Sequence, residues 1–485
     1  MRYLLRRGLT RGRCLSTAVA SEFSAPAPAH AAAVRAEAAS LTDGGLSVDL
    51  QFDDGCKFRI KARWLADALP SRHGNDFHRV SAEGVGYLST VHATGVSTDT
   101  ARGTVKVSWS GAISPEEDTI PGVWLRAYAP AVGQALNDQA AAAVKDHSED
   151  FGATSAPFKG CFSPAEKGAV PWLAHEVEVP MFEYEELESD EAKLHLLKCM
   201  ANPGLAFIDG LPKAEDGAEP AVRTALRKFV GKFAQHPSRQ NWWELKSGQV
   251  TSSRDYNFSL PLAMHTDHSI YPDTPCFLLC MHQVKGEATG KIADGMAIVE
   301  ALKKEAPEVL EILSSVRVDH GLRHRLYNLS GGKRDIFNET EEPDEFELYG
   351  SEPLINLNAD GTLRKIRHSE TKRLPFSVPA DQFDDVLAAY DKFCQLVEEP
   401  RFRLTWDWPE NRLVVFNNHR LLHGRASIKS QERILLGGSV TKTITSLKYR
   451  LLRMKIAGSR LGLERNWVSR LPDPVLANLA KNAGV

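Results

Sequence analysis

Residues 260–275, LPLAMHTDHSIYPDTP, set His265 and Asp267 one residue apart. If the chain is extended there, the two-residue period of a strand carries both side chains to one face and turns Thr266 away from them. An imidazole and a carboxylate can then reach a single ion. A third donor follows in RLLHGRAS, where His423 stands just after the strand-like run RLVVFNN. Two histidines and one carboxylate occupy one face of an octahedron and leave three adjacent positions open, a ligand set that suits non-haem Fe(II). Those open positions have room for a bidentate 2-oxo acid and dioxygen. A 2-oxo acid with a second carboxylate also needs a fixed cation, and the planar fork of a guanidinium matches a carboxylate at two points. Arg433, in QERILLGGSV, is placed for that task. A turn at SIKSQE between neighbouring antiparallel strands would bring it and His423 into one cavity. His-X-Asp by itself reads equally well as a capped strand end or a surface pair. The weight lies in the ordered set His265, Asp267, His423 and Arg433, each at the edge of an apolar run.

The frame that must hold these residues is long. At 485 residues it suggests a tail plus two or three structural units. With 42% hydrophobic and 25% charged residues and a net charge of −3, it offers no field that would draw nucleic acid or an anionic membrane, so the expected partner is a small molecule. Seven scattered cysteines do not make a disulfide framework, and Cys276 and Cys280 read as buried apolar residues. No apolar run reaches the ~18–20 residues of a membrane span.

The first 20 residues are rich in arginine (2, 6, 7, 11 and 13), with no acid before Glu22, and read as a mitochondrial presequence; otherwise the protein is cytoplasmic. Ala/Pro-rich residues 21–44 read as a disordered linker. Residues 45–130 carry the alternation of a small β-rich domain, with LSVDLQF, DDG and KFRIKARWL as a hairpin running into an element that ends near Asp67. A connecting segment, 131–174, contains a helical pattern. From 175 to 455, strands such as PCFLLCMHQV, FRLTWDW and NRLVVFNN alternate with helices at DGMAIVEALKKEAPEVLEILSS and PADQFDDVLAAYDKFCQLVEE. With no regular βαβ alternation, the fold class is mostly β with helical buttresses, a sandwich or barrel. Residues 456–485 read as a C-terminal tail.

The segments LPLAMHTD, ADGMAIVEALKKEAPEVLEILSS, NNHRLLHGRAS and ERILLGGSV together resemble the taurine dioxygenase (TauD/TfdA) superfamily, and within it the gamma-butyrobetaine and trimethyllysine hydroxylase branch. DGCKFRIKARWLAD and WLRAY resemble that branch's small N-terminal domain more faintly. The resemblance implies a double-stranded β-helix, or jelly roll, with Fe(II) held by His265, Asp267 and His423 and the cosubstrate 2-oxoglutarate held by Arg433. The implied reaction hydroxylates a small polar metabolite with dioxygen and releases succinate and carbon dioxide. A catalytically silent binding protein on the same fold and a zinc-dependent hydrolase using the same triad are the competing readings. A homodimer is left open.

Two departures stand out. Leu69, Ser71 and Gly74 occupy positions where the branch carries zinc-binding cysteines, so no structural zinc is expected, and His73 and His78 read as surface residues. In the betaine hydroxylases an aromatic cage holds a trimethylammonium group by cation–π attraction. The corresponding positions here are Arg239, Trp243, Asn257 and Ser439, of which Trp243 alone is aromatic. Tyr256, Trp242 and Tyr271 are near enough in sequence to rebuild part of a cage, while Arg239 and Arg254 would grip an anionic group. The substrate residues expected are therefore Arg239, Trp243, Arg254, Tyr256, Asn257 and Tyr271. IRHSETKR, residues 366–373, replaces the branch's Asn-rich substrate segment. These changes argue against gamma-butyrobetaine itself.

Overall fold

A computed structural model describes residues 33–72, 86–111, 115–151, 169–212, 227–232, 234, 242–246, 260–270, 276–325, 345–426, 428, 432–469 and 471–485. The chain divides into two compact units, one drawn from 1–153 together with 456–485 and the other from 154–455.

In the first unit the DDG turn folds as the alternation predicts. Strands Ser47–Phe52 and Lys57–Lys61 pair antiparallel, with Gly55 at φ +82° in the turn, a conformation that costs an L side chain but not glycine. Helix Ala62–Ala68 follows directly. The strand Ala36–Thr42 departs from the expected linker by pairing with Ser47–Phe52. Its Ala-rich sequence carries little hydrophobic alternation because only Ala36 is fully buried, and the backbone ladder rather than side-chain burial places it. Leu69 sits in the core, and Ser71 donates to Asp118 Oδ1 at 2.8 Å while Trp109 Nε1 donates to Oδ2 of the same carboxylate. Gly74, His73 and His78 lie outside the described residues. The expected C-terminal tail is structured: helix Asp473–Asn482 buries Val475, Leu476, Leu479 and Ala480, and Asn478 Nδ2 donates to Ala127 O at 3.2 Å. Its apolar stripe is too short to outweigh the basic, polar sequence before it.

The second unit mixes helices with sheet. A larger sheet runs in the order Trp242–Lys246, Ile434–Val440, Leu278–Lys285, Arg412–Asn417, Leu205–Asp209, Met181–Glu183, antiparallel except for its last pair. A smaller antiparallel sheet has the order Leu262–His265, Leu421–Arg425, Ala288–Asp294, Arg403–Trp408. One apolar cluster joins the two: Leu205, Leu279, Met281, Val414, Phe416 and Leu435 come from the larger sheet, and Ile292, Trp408 and Leu421 from the smaller. The helical stretch read over residues 294–315 forms two helices, Gly295–Glu305 and Pro307–Ser315. Pro307 excludes the helical conformation at the preceding residue, and Ala306 stands at φ −156°. Asp294 starts the first helix by accepting from Met296 N at 3.0 Å. The same carboxylate forms a bidentate pair with Arg420, both side chains fully buried, whose guanidinium also donates to Ala201 O and Val170 O. This anchor stands immediately before the strand that carries His423.

Candidate metal centre

Leu262–His265 and Leu421–Arg425 are neighbours in the smaller sheet, and their register sets His265 directly opposite His423. Paired residues of an antiparallel ladder present their side chains to the same face. The two imidazoles accordingly lie 4.2 Å apart between centroids, and His423 also meets Phe416 of the larger sheet at 4.9 Å, so it faces the space between the sheets.

Asp267 reaches the same point by a different route from the one its spacing suggests. The strand ends at His265, and the chain turns through 267–270, with His268 at φ +61°. Thr266 is not a bystander: it is buried, its N–H donates to His368 O at 2.7 Å, and its hydroxyl accepts from His368 N at 3.0 Å. Asp267 is clamped by Asn418, whose Oδ1 accepts from Asp267 N at 2.8 Å and whose Nδ2 donates to Asp267 O at 3.0 Å and Cys276 O at 3.1 Å. Cross-strand register thus contributes the histidine pair, and a turn with two side-chain clamps contributes the carboxylate.

One donor atom each from His265, Asp267 and His423 lies within 4.8 Å of the others. The ring Nδ1 of His265 lies 2.9 Å from Ala263 O, and its Nε2 lies 3.4 Å from Asp267 Oδ1. Burial alone would raise the Asp267 carboxyl, but the His265 hydrogen bond and the charges of His423 and His265 overcome it and hold it well below the usual carboxylate range. Burial first, and then the charge of His265, push His423 down to about 3, so its ring is neutral at physiological pH; its buried Nδ1 has no hydrogen-bond partner among the described residues. An anionic carboxylate at Asp267 and a neutral ring at His423 are protonation states that metal binding requires. The donor set suits Fe(II) in both type and number.

The expected neighbour relation of His423 and Arg433 is corrected. Their strands belong to opposite sheets, because the chain passes from the smaller sheet to the larger one between Arg425 and Ile434 rather than making a hairpin. Arg433 is buried, donates through Nε to Gln283 Oε1 at 3.0 Å, and lies 5.7 Å from the Trp408 ring of the smaller sheet. Burial first, and then the charge of Arg425, two residues beyond His423, push Arg433 down to about 9.

A family model described as "Taurine catabolism dioxygenase TauD, TfdA family" matches residues 166–439. The chain belongs to this family. Among curated proteins, the gamma-butyrobetaine dioxygenase of Pseudomonas sp. (strain AK-1) is 26% identical over 401 residues, covering 80% of this chain and 88% of that protein. The gamma-butyrobetaine dioxygenase of Homo sapiens is 25% identical over 289 residues, covering 58% and 68%. The mitochondrial trimethyllysine dioxygenase of Mus musculus is 23% identical over 271 residues, covering 54% and 58%. Among solved structures, the non-heme iron oxygenase OrfP in complex with Fe and alpha-ketoglutaric acid aligns at a TM-score of 0.38 and 15% identity, covering 54% of this chain and 94% of that one. This TauD/TfdA protein is a dioxygenase, and the curated relatives it resembles are gamma-butyrobetaine and trimethyllysine dioxygenases.

Of the expected substrate residues of this dioxygenase, Trp243 is described. It pairs with Gly437 across the larger sheet, is half-buried, and packs on the cluster between the sheets; a Cβ at Gly437 would overlap its ring. Arg239, Arg254, Tyr256, Asn257 and Tyr271 lie outside the described residues. Ser439 is buried on the Ile434–Val440 strand. Asn418, His368, Gln283 and Arg425 join the site although none was expected there individually; His368 lies in IRHSETKR, and Asn418 and Arg425 in NNHRLLHGRAS, segments marked in the sequence. Asn418 immediately precedes the HRLLHGR run, but nothing in its local pattern distinguishes a clamp from a turn residue.

Proposed function

We propose that His265, Asp267 and His423 hold Fe(II), that Arg433 holds the distal carboxylate of 2-oxoglutarate, and that the enzyme hydroxylates a small polar metabolite with release of succinate and carbon dioxide. The convergence of three ligand atoms within 4.8 Å carries this reading. When bound, iron and 2-oxoglutarate supply the oxidising power for a C–H bond. The chain's own residues do the rest. Asp267 stays anionic and His423 neutral, Asn418 and His368 fix the turn between the ligands, and Gln283 orients a guanidinium whose attraction to a carboxylate is strong because it is buried. Release of the Asp267 turn would misplace one ligand and leave the other two in the ladder.

The two sheets, joined by one apolar cluster and with the ligands on the smaller one, support reading this unit as the double-stranded β-helix of the family. Residues 45–130 are read as the branch's small N-terminal domain. Gamma-butyrobetaine and trimethyllysine, the substrates that name the relatives, are the first probes, and the loss of aromatic residues at Asn257 and Ser439 favours a different small polar metabolite. The arginine-rich residues 1–20, together with the mitochondrial trimethyllysine dioxygenases among the relatives, support import into mitochondria. The test is Fe(II)-dependent succinate release from 2-oxoglutarate across a metabolite panel. Asp267→Ala should abolish it, and zinc-dependent ester cleavage without succinate would replace this reading with a hydrolase.

A further inference from the structure

The helix Phe383–Glu398 takes no part in the reaction proposed above, yet one of its side chains leads toward the metal centre. Its inner face buries Val386, Ala389, Tyr390, Phe393, Leu396 and Val397. Of these, Tyr390 alone carries a polar side-chain atom, and at 5% exposure its hydroxyl needs a partner inside the protein. That partner is His368, whose Nδ1 lies 3.2 Å from Tyr390 Oη. A second hydrogen bond joins the hydroxyl to the Glu370 carboxylate, which accepts from Arg373 Nε and Nη2 at 3.0 and 2.7 Å. The buried His368 ring meets two successive turns of the helix, at 5.5 Å from Tyr390 and 5.3 Å from Phe393 between centroids. The Tyr390 ring also packs 5.3 Å from Phe376 and 5.4 Å from the Arg373 guanidinium, contacts that do not involve its hydroxyl.

The main chain of His368 in turn carries the metal-ligand turn. Its carbonyl accepts from Thr266 N at 2.7 Å and from Thr266 Oγ1 at 3.3 Å, and its N–H donates to Thr266 Oγ1 at 3.0 Å. Thr266 is 1% exposed and stands between two of the proposed ligands, so its peptide planes set where His265 and Asp267 lie relative to each other. A continuous path therefore runs from the helix through the hydroxyl, the imidazole and the His368 main chain to the ligand pair. Loss of the hydroxyl would leave a buried imidazole nitrogen without that bond, and such a loss costs more than the bond itself contributes. The ring and the main chain attached to it are the parts that would shift to recover a partner.

We propose that Tyr390 is a positioning residue of the metal centre, its hydroxyl holding His368 so that the three bonds from that residue to Thr266 keep His265 and Asp267 at the separation one ion requires. The inference rests on the metal-centre reading, and its test measures metal binding rather than turnover. The probes are Fe(II) alone, titrated under argon against a chelating dye, and Co(II) alone, whose visible absorption reports the geometry of its ligands. Tyr390→Phe should raise the Fe(II) dissociation constant about tenfold, as groups that orient a metal ligand do, and should alter the Co(II) spectrum. Phe376→Leu loosens the same aromatic cluster without touching the hydroxyl; it should lower the melting temperature and leave metal affinity and spectrum as in the wild type. In a Thr266→Val background the effect of Tyr390→Phe should shrink, because two of the three links to His368 are already cut. A folded Tyr390→Phe protein with wild-type affinity and spectrum overturns the inference, as does an equal loss of affinity in Phe376→Leu or full additivity with Thr266→Val. Asp267→Ala in the same assay tests the metal-centre reading separately: Fe(II) binding that survives it unchanged removes that reading, whereas a failed Tyr390→Phe prediction leaves it standing.

Discussion

Asn418 grips the Asp267 peptide from both sides, and its third bond ties that turn to Cys276. Groups that orient a metal ligand are worth about 10–100-fold in metal affinity. Asn418→Ala should therefore raise the Fe(II) dissociation constant by that factor with little change in melting temperature, as measured by competition with a chelating dye. If Arg433 holds 2-oxoglutarate as proposed, Arg433→Gln removes a buried charge-assisted contact worth roughly 1.5–3 kcal/mol, or about 10–100-fold in the KM for 2-oxoglutarate. Titration supplies a further expectation. Burial and the charge of His320 push His368 down to about 3, and burial and Arg367 push His320 down to about 4. Both values lie below the ~6.5 of an exposed histidine, so the unfolded chain takes up these protons first as pH falls. Their contribution to stability is complete above about pH 6.5 and is lost progressively as pH drops toward 4. His368→Gln should remove about 1–2 kcal/mol of the stability loss between pH 7 and pH 5, read from urea midpoints at the two values.

At the scale of elements, the His423 strand is held by its surroundings more than by its own sequence. Asp294 and Arg420 form a fully buried bidentate pair that also caps a helix and binds two backbone carbonyls. Arg420→Met leaves the Asp294 carboxylate buried and uncompensated, a change that costs about 3–5 kcal/mol, and denaturant unfolding should detect it at neutral pH. In the larger sheet, Gly437 and Trp243 form a matched pair, the bare backbone making room for the indole. Gly437→Ala forces that ring out of the space between the sheets, at a cost of about 1–3 kcal/mol.

Within the first unit, the last segment of the chain is structural. Val475, Leu476, Leu479 and Ala480 are buried, and Trp467 stands 5.3 Å from Trp124 in a cluster that includes Tyr128 and Trp64. At about 1.5–3 kcal/mol for each large apolar side chain, truncation after Gly462 should remove more than a domain of this size can lose. Calorimetry of the truncated protein should lack the transition of that unit.

Much of the candidate site is legible in the sequence itself. The types of His265, Asp267, His423 and Arg433 suggest the metal and carboxylate roles proposed for them, and the structure brings the first three together; the hairpin at Gly55 and the helix start at Asp294 follow from local turn and capping rules. Such signals are local, acting over a few bonds, and a linear chain displays them directly. What the tertiary structure alone decided are the relations between distant segments. Asn418 holds Asp267 across 151 residues, Thr266 bonds to His368 across 102, and Arg433 enters from the sheet opposite His423. Residues 36–42 and 473–482, read as linker and tail, become strand and helix because a ladder and a core are there to receive them. Covalent spacing constrains only near neighbours, so partners this far apart are selected by packing and by the requirement that buried polar groups be satisfied.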